Sequence, residues 1–114
     1  MNYNNRPPEP TMPQDIPDGA DQTVLYRTSD GSCDIKFWFR NCGNTGWRIY
    51  ILSHLDYRRR AEDAHSTHRF YDSDLRMHYI CWSQPIRTKA GCFGVAKAWG
   101  DATLRYINEG RSFG

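Results

Sequence analysis

No apolar run in the 114-residue chain approaches the length of a membrane span. The N-terminus also lacks the charged-then-apolar pattern of a secretory signal, so the expected location is cytoplasmic, with reduced thiols and no contact with a membrane. The four cysteines (Cys33, Cys42, Cys81, Cys92) form no CxxC pair, and without a signal they are not read as a disulfide framework. There is no glycine-rich phosphate loop, no G-x-S-x-G, no H-E-x-x-H and no cysteine–histidine signature. The expectation is a protein that is not an enzyme and takes no cofactor.

Proline is scarce after residue 22. Five of the six prolines fall in Met1 to Gln22, where Tyr3 is the one aromatic residue. Such a segment has too little apolar surface to offset ordering entropy, so residues 1–22 are expected to be a disordered, acidic, Pro-rich tail. It carries Arg6 against Glu9, Asp15, Asp18 and Asp21, a net −3, which leaves +5 on residues 23–114 from the chain total of +2. Those 92 residues suffice for a single domain with one modest core. Twelve of the fifteen basic residues are arginine, the side chain suited to carboxylate and phosphate forks and to stacking on aromatic rings.

What is present is strand alternation. Thr23 to Thr28 reads as a strand, Asp30-Gly31 as a hairpin turn with positive φ at both central residues, and Cys33 to Arg40 as the partner strand. The turn pairs Tyr26 with Ile35 and Val24 with Phe37 on one face, and Arg27 with Asp34 on the other. Asn41 to Gly46 is turn-rich, and Trp47 to Ser53 is a third strand. Pairing Phe39 with Trp47 matches the apolar faces and sets Trp38 opposite Arg48 and Lys36 opposite Tyr50.

His54 to Thr67 is polar and charged, and reads as a long loop or a short helix around Arg58 to Ala64. His68 to Tyr71 and Arg76 to Trp82 form a second hairpin, with Phe70 facing Met77 and His68 facing Tyr79. Pro85 ends the sheet, and Thr88 is an N-cap for a helix over Lys89 to Asn108, stopped by Gly110. Cys92, Ala96, Trp99, Thr103 and Tyr106 form its apolar stripe, with Trp99 and Tyr106 expected against Phe37, Phe39 and Ile49. Gly91, Gly94 and Gly100 would each weaken an isolated helix by about 1 kcal/mol relative to alanine. The expected fold is therefore α+β: an antiparallel β-meander of three to five strands packed on one C-terminal α-helix.

The candidate site is the sheet face turned away from that helix. Lys36, Trp38, Arg40, Arg48 and Tyr50 interleave cations with aromatic rings there, and Arg58, Arg59 and Arg60 add a basic run. Cations for phosphates and rings for bases are what a sheet needs to grip nucleic acid. In its order of elements, a three-stranded sheet backed by one C-terminal helix resembles the AP2-type and integrase N-terminal DNA-binding domains. That resemblance implies a sheet laid in the major groove. It requires Trp38 to be exposed beside a continuous patch of Lys36, Arg40 and Arg48. The same face also suits a protein contact, or serves only to solvate the sheet.

Zinc ligation by His65-x-x-His68 or His78-x-x-Cys81 is not expected: CxxC clusters are absent, and in a strand over Arg76 to Trp82 the side chains of His78 and Cys81 point to opposite faces. The function expected first is a small non-catalytic interaction module that binds a protein partner. Its setting would be a bacterial or mobile-element accessory protein, such as an inhibitor of a defence nuclease. DNA or RNA binding through the outer face is the alternative, and an edge strand leaves a homodimer open.

Overall fold

The computed structural model describes residues 6–8 and 16–113. Strict alternation makes β2 (Asp34–Asn41) the spine of the sheet: Ile35, Phe37 and Phe39 turn inward and are fully buried. β1 (Gln22–Arg27) pairs with it antiparallel, with Val24 opposite Phe37, Tyr26 opposite Ile35 and Arg27 opposite Asp34. The expected register is therefore present, although only Gly31 of the Asp-Gly pair takes a positive φ, 75°. The Asp30 carboxylate organises the turn, accepting from Thr28 Oγ1 at 2.8 Å and from the Ser32 amide at 3.0 Å.

β3 (Trp47–Ile51) pairs with β2 two residues away from the expected register, with Phe39 opposite Ile49 and Trp38 opposite Tyr50. The connector is tighter than its composition suggests. Gly43–Thr45 makes one 3₁₀ turn, and the Cys42 amide donates to the Gly46 carbonyl at 2.8 Å, so pairing extends to Asn41 and Trp47. An even shift keeps every side chain on its expected face and changes only its neighbour.

The second hairpin shows the same displacement. β4 (Arg69–Asp72) and β5 (Met77–Ile80) pair Phe70 with Tyr79 and Asp72 with Met77, not Phe70 with Met77. Asp72 Oδ1 accepts the amides of Asp74 and Leu75 at 3.0 and 3.2 Å, and Arg76 takes the left-handed φ of 56° that a glycine would ordinarily supply. β5 then inserts beside β3, giving the order β1-β2-β3-β5-β4, antiparallel throughout. The first three strands form a meander, and β1 and β4 are the edges.

Between β3 and β4 there is one helical turn, α1 (Ala64–Thr67), capped by the Asp63 carboxylate on the Ser66 amide. It lies after the expected span of Arg58 to Ala64, because Arg58 and Arg59 adopt positive φ (50° and 69°), which no helix accommodates.

α2 (Lys89–Glu109) runs across the inner face. Thr88 Oγ1 accepts the Gly91 amide at 3.0 Å, and Gly110 at φ 72° closes the far end. Trp99 meets Phe37 edge-on at 6.0 Å. Tyr106 departs from expectation: it packs with Tyr57 and Ile107 in a separate cluster, and its hydroxyl donates to the Ala61 carbonyl at 2.7 Å. Beyond the end of β1, Asp101 of α2 accepts from Tyr26 Oη at 2.8 Å and from the Ser29 amide at 2.9 Å.

The segment expected to be a disordered tail lies outside the described residues at 1–5 and 9–15. Its described part touches the domain. Pro8 C=O accepts from Thr23 Oγ1 at 2.8 Å, Pro17 C=O accepts from Lys89 Nζ at 2.9 Å, and Gln22 already belongs to β1.

Two helix glycines should respond oppositely to a methyl group. A Cβ on Gly94 meets nothing within 4 Å, whereas one on Gly100 lies 3.2 Å from the Tyr26 ring, which Asp101 holds in place. Gly94→Ala is expected to stabilise the protein by about 1 kcal/mol, and Gly100→Ala to destabilise it by about 1 kcal/mol or more through overpacking. Urea unfolding of both variants checks this. Equal stabilisation by the two would mean that the Tyr26 ring gives way.

Candidate functional site

Four aromatic side chains lie in one row across the outer face, because Trp38 is opposite Tyr50, Tyr50 opposite Tyr79 and Tyr79 opposite Phe70. Trp38 and Tyr50 stack with ring centroids 4.9 Å apart and planes at 27°. Both are 0 % exposed. Exposure of Trp38, which the nucleic-acid reading requires, is thus corrected. Its indole Nε1 donates to Asp21 Oδ2 at 3.1 Å, and Pro8 reaches Thr23, the residue directly across β1 from it. The Arg40 guanidinium lies 5.2 Å from the Trp38 ring.

Register also brings Arg40 opposite Arg48, a like-charged pair that needs compensation. The Tyr50 hydroxyl supplies it, accepting from Nη1 of both arginines at 3.4 Å and donating to Asp72 Oδ2 at 2.7 Å. The hydrogen bond from Tyr50 holds the Asp72 carboxyl below its ordinary range against the opposing effect of desolvation; the amides of Leu75 and Asp74, and Arg48, act in the same direction as Tyr50. Desolvation is the largest influence on Tyr50 and pushes its phenol up. Arg48 also lies over the Tyr79 ring at 4.2 Å. Lys36 is exposed on the same face.

Arg58, Arg59 and Arg60 do not join this face. Arg58 and Arg60 reach the C-terminal end of α2, where Arg60 Nε donates to the Ile107 carbonyl at 3.2 Å and Arg58 Nη1 to Asn108 Oδ1 at 3.2 Å, and Arg59 lies between them in the chain with a positive φ. A guanidinium on the terminal carbonyls of a helix complements its dipole, so Arg60 has a structural role.

Two of the exposed aromatics, Phe70 and Trp82, lie at and beyond the far end of the row; the others, Tyr71 and Phe93, lie elsewhere. After Ile80 the chain bows away from β3 and returns at Ile86, whose carbonyl accepts the Trp47 amide at 2.8 Å. Gly46 permits that return: a Cβ there would stand 2.6 Å from Ile86 O. The bow leaves an open groove of about 330 Å³ lined by Trp47, Arg48, Phe70, Tyr79 and Trp82 among others, with no carboxylate in its wall. Trp82 is 47 % and Phe70 46 % exposed. Reading Tyr79 to Trp82 as continuous strand concealed Trp82. The glutamine–proline pair at Gln84-Pro85, which marks the corner, is the signal that the strand stops early.

Among the described residues no three His, Cys, Asp or Glu side chains converge as a metal site would require. His68 stacks on Phe113 at 4.5 Å, and all four cysteines are free. Burial pushes the Cys92 thiol up to about 12, which leaves it unreactive. No family model, no curated protein and no solved structure matches the chain.

Two measurements test this geometry. Asp21→Ala leaves the buried Trp38 N–H without its partner and is expected to cost about 1–3 kcal/mol, with tryptophan fluorescence becoming more quenchable. Unchanged stability and quenching would show that Asp21 does not hold the indole. For Asp72, a depressed carboxyl pKa contributes stability above the unfolded value of about 3.9 and loses it as pH falls through the folded value. Asp72→Asn is therefore expected to flatten the decline of the urea midpoint below about pH 4. An identical acid profile would remove Asp72 from the account.

Proposed function

We propose that the protein is a non-catalytic interaction module whose partner is another protein, gripped at the groove of Arg48, Phe70, Tyr79 and Trp82. The observation that carries this reading is the combination of two half-exposed aromatic side chains and a guanidinium around a groove free of carboxylates. Tryptophan, tyrosine and arginine are enriched among the residues that dominate the energetics of protein interfaces: the two rings give large contact area for few frozen rotors, and arginine gives a planar group that both hydrogen-bonds and stacks. The groove is open, as a protruding side chain of a partner requires, and its wall offers polar and apolar surface in about equal measure.

Direct DNA or RNA binding is the second reading, favoured by the common face of Lys36, Arg40 and Arg48. Three features weigh against it. Trp38 and Tyr50 stack on each other and offer no face to a base. Arg48 covers the ring of Tyr79. Two carboxylates, Asp21 and Asp72, stand among the cations and oppose phosphate.

Affinity capture with Trp82→Ala and Phe70→Ala separates the readings. Each is expected to weaken the partner complex about 30-fold or more, roughly 2 kcal/mol. Leu25→Ala, at an exposed position on a distant strand of the same face, should leave it intact. Equal recovery of the partner by all three variants would sink the groove as the contact. A gel shift that appears at low salt and fades with added salt would favour nucleic acid instead.

A further inference from the structure

A second cleft opens between the β3–β5 end of the sheet and the loop that follows β3. Its volume is about 350 Å³, within the roughly 300–1,000 Å³ of small-ligand sites. Its wall combines the apolar Leu52, Leu55 and Met77 with His54, Arg69, Arg76 and His78, and Glu62 is the one carboxylate in it.

One of these cations is held in advance. Arg69 is the best held: its Nε donates to Thr67 Oγ1 at 3.2 Å, its guanidinium lies 4.8 Å from the Tyr57 ring centroid, and its side chain is 12 % exposed. Its contact with Glu62 is long, 3.4 Å, and Glu62 is largely in solvent. Arg76 lines the cleft from a left-handed backbone conformation, and among the described residues its side chain has no carboxylate partner. His78 lies under Tyr71 at 5.0 Å. Burial, and then the positive charge of Arg69, push the His78 imidazole below its ordinary range, with Glu62 opposing. The local field is therefore positive and imperfectly neutralised.

We propose that this cleft binds a phosphate monoester carrying a compact apolar body. The anion lies between Arg76, Arg69 and the two imidazoles, and the body lies against Leu52, Leu55 and Met77. A bound dianion supplies the negative charge that the wall lacks, and paired guanidinium groups suit the geometry of its oxygens. It also favours the charged form of His78. The charged groups that act on His78 are Arg69, which disfavours its protonation in the empty cleft, and Glu62, which favours it; Arg76 and His54 line the same cleft.

The test is an amide and imidazole NMR titration of the whole chain with phenyl phosphate, inorganic phosphate and phenol. Phenyl phosphate is expected to shift the amides around Leu52–Leu55 and Arg76–His78, to bind more tightly than either fragment, and to raise the His78 pKa at saturation. Arg76→Asn keeps a residue that tolerates the left-handed backbone and is expected to weaken binding about tenfold. The proposal is overturned if these amides do not move, if His78 titrates unchanged with the ligand in excess, or if Arg76→Asn binds equally well. Shifts confined to Lys36 and Arg40 would overturn it too, since they report adsorption to the basic sheet face. Equal affinity for phenyl phosphate and inorganic phosphate would overturn the apolar half of the site.

Discussion

The indole of Trp99 is where the separate parts of the molecule meet. Its ring edges against Phe37 at the centre of the sheet, and its Nε1 is shared between the Thr67 and His68 carbonyls at 3.1 Å each. One side chain on α2 thus contacts the sheet core and closes off the backbone at the junction of α1 and β4. Those carbonyls emerge where a four-residue helix ends in a left-handed residue, His68 at φ 50°. A turn that short has no stability of its own, so the tryptophan N–H is what lets it be buried. β4 starts at the next residue, which makes the position of the edge strand, and with it Phe70, dependent on the helix behind the sheet.

The outer face follows from a different constraint, the opposition of Arg40 and Arg48. Two like charges directly across a strand pair are unfavourable, and here they are reconciled by one phenolic oxygen and one carboxylate. This arrangement needs Tyr50 turned inward along the face, where it stacks on Trp38. The stack in turn needs a partner for the indole N–H, which Asp21 provides from outside the sheet. The basic-aromatic alternation that looks like a binding surface is therefore largely an internally satisfied network.

Side-chain alternation made the inner and outer faces legible, and the cap residues Thr88 and Gly110 made the helix legible at both ends. Register was legible only in the first hairpin, where an aspartate and a glycine fix a short turn. At Asn41–Gly46 and Asp72–Arg76 the closing hydrogen bonds come from a 3₁₀ turn and from an aspartate acting locally with a left-handed arginine. Composition does not specify either loop to the residue. Each error was two residues, so faces survived while neighbours did not. That sufficed to change the character of the outer face: Trp38 opposite Arg48 would be a solvent-facing pair, whereas Trp38 opposite Tyr50 is a buried stack. The role of Arg60 was unreadable for another reason, since its acceptor is 47 residues away along the chain.

The aromatic row across the sheet is graded. Trp38 and Tyr50, near the first hairpin, are sealed; Tyr79 is half-buried beneath a guanidinium; Phe70, at the edge, is 46 % exposed. Among the described residues Asp21 bonds to the row from the β1 side and Pro8 to Thr23 beside it, while β4 is the edge of the sheet at the other end. An aromatic row of uniform exposure would be an aggregation liability, and a uniformly covered one would offer no contact. Burying its proximal half rigidifies the strands that carry its distal half. Since β5 is held between β3 and β4, Tyr79 and Phe70 are displayed from paired strands, with Trp82 presented by the bow that follows. A surface so supported has little ordering left to do, the preorganisation that binding through this face would call on.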